Sequence, residues 1–185
     1  VLARRAASKD LGDTIVKLVR GQKKKTEELL GDLAHMVISP GNIEGGLTNI
    51  MEKSLGCIIK AGTSPLQEIV EYASPATKRG FVFMDTPGSD VFSLTGMAAG
   101  GAQIMIFTTG RGTPIGFPIV PVIKVSSNSD IYKRMEDDID INAGRILEGE
   151  SMDDVSRELV DLFIRVAGGE ETKAEMNLQE AVSIF

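Results

Sequence analysis

Three short apolar runs, residues 81–84, 103–107 and 119–125, are each bounded by Gly, Pro, Ser, Thr or Asp. Runs of that length and punctuation predict buried strands. Residues 90–101, between the first two, have the length of a crossover helix, so the pattern predicts strand, helix, strand and a parallel pair. The loops after these strands, Asp85-Thr86-Pro87-Gly88 and Thr108-Thr109-Gly110-Arg111-Gly112, would then open onto one crevice, because open parallel sheets bind ligands beyond the carboxyl ends of their strands.

The flanking sequence is read as support. Leu11, Ile15, Leu18 and Val19 recur at helical spacing, with Asp10 and Arg20 placed to complement the helix dipole and Gly21 as the stop. Lys23-Lys24-Lys25 reads as a solvated linker. Thr26 is expected to cap a second helix that turns Leu29, Leu30, Leu33 and Val37 inward; His35, beside that stripe, reads as a structural or surface residue in preference to a ligand. Ser39-Pro40-Gly41-Asn42 predicts a turn, and Thr48 a cap for a short helix over residues 49–55 closed by Gly56. Residues 57–60 read as a strand, and Pro65 as the first residue of a helix with Leu66, Ile69 and Val70 facing inward. Beyond residue 125, a polar loop caps a helix at 130–135. Ser151-x-x-Asp154 opens another, whose stripe of Met152, Val155, Leu159, Leu162, Phe163 and Val166 is core packing. Residues 169–174 read as polar and mobile. The chain starts on Val1 and ends on an apolar run like a cut strand, so it reads as an excised piece of a longer protein.

These elements define an α/β fold with a mainly parallel, Rossmann-like sheet and helices on both faces. Residues 1–38 read as an N-terminal helical segment and residues 39–185 as the α/β domain. With 185 residues the chain can form one sizeable core, or a large and a small lobe. A net charge of −6 argues against nucleic acid or an anionic membrane as a main partner. No stretch approaches the roughly 20 apolar residues that span a bilayer. The single cysteine, Cys57, precludes an internal disulfide and fits a cytoplasmic setting, and one His with one Cys cannot build a zinc site of the usual kind from this chain alone.

Asp85 places a carboxylate at a strand end, suited to cation binding, general base catalysis or capping of the next turn. Thr108, Thr109, Gly110, Arg111 and Gly112 combine hydroxyls, accessible backbone N–H groups and a guanidinium, which suits a carboxylate or phosphate. The glycines match neither the dinucleotide nor the P-loop signature. Asp137, Asp138, Asp140 and Asn142 offer hard oxygen ligands for Mg²⁺, Mn²⁺, Fe²⁺ or Ca²⁺, or else form a solvated acidic face. Lys53, in Glu52-Lys53-Ser54-Leu55-Gly56-Cys57, could serve as a base if apolar neighbours depress its pKa, although most such lysines are simply exposed.

Taken in order, Pro40-Gly41-Asn42 with Gly45-Gly46-Leu47-Thr48, the Glu52–Cys57 motif, Met84-Asp85-Thr86-Pro87-Gly88, Ala99-Gly100-Gly101-Ala102, Phe107-Thr108-Thr109-Gly110-Arg111-Gly112, Pro121-x-x-Lys124 and the acidic segment resemble the altronate and galactarate dehydratases, strongly over residues 39–147 and weakly outside. The resemblance implies the C-terminal portion of a longer cytoplasmic enzyme that removes water from a sugar acid to give a 2-keto-3-deoxy acid, using a divalent metal, Fe²⁺ first with Mn²⁺ or Mg²⁺ as alternatives. It also implies roles: Lys53 and Asp85 catalytic; Asn42, Ser54, Thr86, Thr108, Thr109, Gly110, Arg111 and Lys124 substrate-binding; metal ligands unassigned, with upstream residues to supply them, so that the fragment alone is inactive. Expected partners are the sugar acid, upstream domains of the same protein and a homodimer mate, with no nucleic acid and no membrane. The rival readings are the large subunit of a sulfolactate sulfo-lyase and a non-catalytic assembly or binding domain.

Overall fold

The computed structural model describes residues 1–31, 40–44 and 46–184. His35 and the turn residue Ser39 lie outside the described residues. The chain divides into two compact units, one of residues 1–70 with 76–83, the other of residues 71–75 with 84–185.

In the first unit, α1 (Lys9–Leu30) starts at Ser8, whose hydroxyl accepts from Leu11 N. It runs through Gly21 without a break, so the expected stop and the second helix start at Thr26 are not found. Thr26 Oγ1 instead donates back to Gln22 O at 3.0 Å, inside the helix. One glycine costs a helix about 1 kcal/mol, and strong helix formers flank this one. The lysine run continues the helix, with Lys23 and Lys24 paired to Glu27 and Glu28 one turn on. Ile15 is buried and Leu11 half-buried, while Val19 and Leu29 are exposed.

After α2 (Pro40–Glu44), helix α3 (Ile50–Lys60) is capped by Asn49 Oδ1 on Glu52 N, at 3.0 Å, and not by Thr48. Thr48 N and Oγ1 both donate to the Glu52 carboxylate, which lowers its pKa. The helix passes through Gly56 and takes up residues 57–60, the expected strand.

The segment read as a helix after Pro65 is strand β1 (Leu66–Val70). The β-branched Ile69-Val70 pair suits a strand. Ala6 bridges Leu66 in parallel, and β2 (Phe81–Met84) pairs with β1. Leu66 is completely buried with Leu2 and Ile15. The Glu68 carboxylate accepts from the Thr77 hydroxyl at 2.5 Å and from Lys78 N and Thr77 N at 3.0 and 2.8 Å, which lowers its pKa and ties the strand to the following loop.

The second unit holds α4 (Asp90–Ala99) and a three-stranded parallel sheet, β3 (Met105–Thr109), β4 (Val122–Ser126) and β5 (Ile141–Asn142), in the order β3-β4-β5. The expected parallel pair of β2 with β3 is therefore not formed. Strand β4 is central and buried throughout. Its residue Val122 joins Leu94 of α4 and Met105 in one cluster, while Ile123 and Val125 join Ile141 and the α6 residues Val155, Leu162 and Val166 in another. Alternation along the strand sends these two sets to opposite faces, so helices cover both sides of a parallel sheet, as an α/β fold requires.

Asn128 Oδ1 caps α5 (Ser129–Arg134) and Ser151 caps α6 (Met152–Ala167). Two members of the expected α6 stripe, Met152 and Phe163, are exposed. The 169–174 stretch is structured: Thr172, 1% exposed, makes a capping box with Glu175 at the start of α7 (Lys173–Met176). The C-terminal run forms no strand among the described residues, and Ser183 N donates to Thr95 Oγ1.

Candidate functional site

Because β3, β4 and β5 are parallel, their carboxyl ends share one edge of the sheet. Residues 110–112 leave β3 there, residues 127–129 leave β4, and Asn142 closes β5. Ser127 N donates to Thr109 O at 2.9 Å, which brings the first two loops together. The Ser129 hydroxyl and the Asn142 carboxamide are hydrogen-bonded, and Asn142 Oδ1 also accepts from Gly144 N. Beside them lies a cavity of about 260 Å³ lined by Ser127, Asn128, Ser129, Asp130, Gly144, Leu147 and Glu148. A second cavity, of about 340 Å³, sits on the outer face of α6. The strand-edge position decides between them, since loops at parallel strand ends can present groups from several strands to one ligand.

Arg111 is exposed on this edge and has no hydrogen-bond or ion-pair partner among the described residues. Gly112 after it takes φ +80°, and a β-carbon there would overlap Met135 Sδ and crowd Ile131. Glycine is thus required where the loop turns against α5. Thr108 is exposed and Thr109 half-buried. A guanidinium, neighbouring hydroxyls and exposed carboxylates at Asp130 and Glu148 can bind an acid group and hydrogen-bond a polyol chain. The serines and Asn128 escaped the sequence reading, which took them for a loop and a cap. The signal was present in their position directly after the third apolar run.

Asp85 is half-buried and accepts no hydrogen bond among the described residues. Lacking such a bond, it does not cap the turn that follows it, and α4 begins after Ser89. Thr86 Oγ1 is 2.7 Å from Ser93 Oγ, which also donates to Pro87 O, fastening this loop to α4. In the first unit, Lys53 and Ser54 are exposed on α3, so Lys53 lacks the apolar shielding considered for it. Asn42 is half-buried in α2, and its carbonyl accepts from Leu47 N.

Lys124 has no exposed surface. Its ammonium donates to Pro114 O at 3.2 Å and to Gln179 Oε1 at 2.7 Å. Burial lowers its pKa, the Asp140 and Asp138 carboxylates pull it back up, and Lys173 lowers it again.

The acidic segment is solvated only in part: Glu136 and Asp137 are exposed, while Asp138 and Asp140 are half-buried and engaged. Asp140 accepts from the backbones of Lys124 and Lys173, Asp138 from the Gln179 side chain, and Asn177 Nδ2 donates to Asp137 O. Among the described residues no three His, Cys, Asp or Glu side chains form a group able to hold a metal. The Fe²⁺, Mn²⁺ or Mg²⁺ that the resemblance implies has no such group to hold it among the described residues of this chain. No described helix is long and apolar enough to cross a membrane.

Fold and site together define an α/β domain with an exposed guanidinium and hydroxyl groups at the carboxyl edge of a parallel sheet. The chain belongs to the D-galactarate/altronate dehydratase family, matching its C-terminal region over residues 1–185, beyond the 39–147 stretch that carries the sequence resemblance. It is 35% identical to an altronate dehydratase of Bacillus subtilis over 100% of the chain and 37% of that protein. It is 42% identical to a galactarate dehydratase (L-threo-forming) of Escherichia coli over 72% of the chain and 26% of that protein. With the beta subunit of a (2R)-sulfolactate sulfo-lyase of Chromohalobacter salexigens it shares 36% identity over 78% of the chain and 38% of that protein. The chain thus spans well under half the length of these relatives.

Proposed function

We propose that the chain is the C-terminal region of a hydro-lyase that dehydrates a sugar acid such as altronate or galactarate to a 2-keto-3-deoxy acid, working with further domains of the same protein. The observation that carries this reading is Arg111, exposed between two glycines at the carboxyl edge of a parallel sheet, on a loop whose strand end Thr109 is tied to Ser127 of the neighbouring, cavity-lining loop. Family membership and dehydratase relatives support the reaction class.

Elimination breaks the C–H bond next to the carboxylate and the C–O bond one carbon further, forms a C=C bond and releases water; the enol product then tautomerises to the ketone. Charge develops on the carboxylate as the proton leaves. A bidentate Arg111 would hold that carboxylate in the bound substrate and as it becomes the enediolate alike. Thr108, Thr109 and Gly110 would line the acid end of the substrate, and Asp85 would accept from a substrate hydroxyl. Asn42, Ser54 and Thr86 are further proposed contacts. Lys53 is the proposed base, on its motif alone.

In the whole protein, Arg111→Ala is expected to raise KM for the sugar acid roughly 100-fold, the weight of a bidentate charged pair. Lys53→Ala is expected to lower kcat by roughly 100-fold or more. Turnover of neither altronate nor galactarate by the unmodified protein would overturn the reading. Release of sulfite from (2R)-sulfolactate in the same assay would move the protein to the sulfo-lyase reaction that one relative's name carries.

A further inference from the structure

We infer that Lys124 is the positioning residue of the Arg111 loop: its buried ammonium ties the segment that follows Arg111 to Gln179, so the sheet-edge site is held from within by the C-terminal part of the chain. This rests on the reading of Arg111 as the substrate clamp.

Lys124 sits mid-strand in β4, on the side-chain face it shares with Val122 and Ser126, with no exposed surface. Burying an ammonium is costly unless its donors are used, and a Leu or Met at this place would fill similar volume without that cost. What the ammonium does there is join segments that nothing local joins. It reaches Pro114 O, three residues past Arg111, and Gln179 Oε1. Gln179 is oriented in turn, because its Nε2 donates to Asp138 Oδ1. The carboxamide therefore presents oxygen to the lysine and nitrogen to the aspartate.

Other contacts reinforce the same clamp. Ala181 N donates to Gly116 O at 3.3 Å, and a β-carbon on Gly116 would overlap Gln179 O. Ile115 N donates to Thr113 Oγ1 within the loop. On the other side Arg111 follows directly from β3, where Thr109 O accepts from Ser127 N. The arginine is thus carried on a loop anchored at both ends with its tip exposed, which lowers the ordering cost of gripping a carboxylate.

The test is Gln179→Ala in the whole protein, which removes the acceptor and adds neither volume nor charge, with Lys124→Met as the more severe second variant. Gln179→Ala is expected to raise KM for the sugar acid roughly tenfold, the worth of about one lost charged hydrogen bond in a clamp, with a smaller change in kcat. Hydrogen exchange should quicken over residues 113–117 and stay unchanged in α6. In an Arg111→Ala background, Gln179→Ala should no longer move KM. An equal KM effect with and without Arg111, or unchanged exchange over residues 113–117, overturns the inference. If Arg111→Ala itself leaves KM unchanged, the clamp reading fails and the positioning role falls with it; quickened exchange would then still report the Lys124–Gln179 tie.

Discussion

Asp140 holds Lys124 through the backbone: its Oδ2 accepts from Lys124 N at 2.7 Å, in the middle of the central strand. Its Oδ1 accepts from Lys173 N at 2.9 Å, so one carboxylate joins β4 to the first residue of α7. Lys173 completes the junction by donating its Nζ to Ile139 O and lying over the Tyr132 ring. A residue whose type suggests a metal ligand is here a structural acceptor.

Asp140→Ala leaves two N–H groups without their acceptor. The expected loss is roughly 2–5 kcal/mol, from the cost of unsatisfied buried donors. Asp140→Asn keeps one acceptor oxygen and should lose less. Denaturant unfolding of the three proteins checks the order, and an Ala variant as stable as the parent would show that these donors find water.

The lowered pKa of Lys124 has a definite sign in stability. Where the folded pKa lies below the ordinary lysine value of 10.5, the unfolded chain binds more protons than the folded one in the interval between them. Stability therefore rises with pH across that interval, and the penalty is fully present below it. Lys124→Met removes the titrating group. The parent should accordingly gain stability relative to Lys124→Met as pH climbs toward 10.5, read from paired unfolding curves. A difference independent of pH would mean that the ammonium is as well solvated folded as unfolded.

Gly112 combines positive φ with contact against Met135 and Ile131. Gly112→Ala is expected to cost about 1–3 kcal/mol, the range for a non-glycine residue held in a sparsely populated conformation. Gly110 has an ordinary φ and its β-position stands 3.3 Å from Ser127 Oγ, so Gly110→Ala should cost less. Thermal unfolding of the two variants checks the order.

Features governed by neighbours in the chain were legible from the sequence. The apolar runs appear as β2, β3 and β4, residues 90–99 as α4, Ser151 as a cap, and Val155, Leu162 and Val166 as core. Each depends on spacing, or on a side chain reaching its own backbone. The family resemblance, carried by contiguous motifs, was legible for the same reason. Where local signals were weak they misled: Gly21 does not end its helix, because strong helix formers on either side outweigh one glycine, Gly56 likewise lies inside α3, and Leu66–Val70 is a strand because Ala6 and β2 supply partners that a helix pattern ignores. Only the tertiary structure decided that β2 pairs with β1 while β3 pairs with β4, that Ser127 joins the Arg111 loop, and that Lys124 is buried. The ammonium of Lys124 meets its acceptor on Gln179 across 55 residues of chain. Strand pairing and the burial of a charge are set by such distant partners, and a residue's own neighbours in sequence carry no record of them.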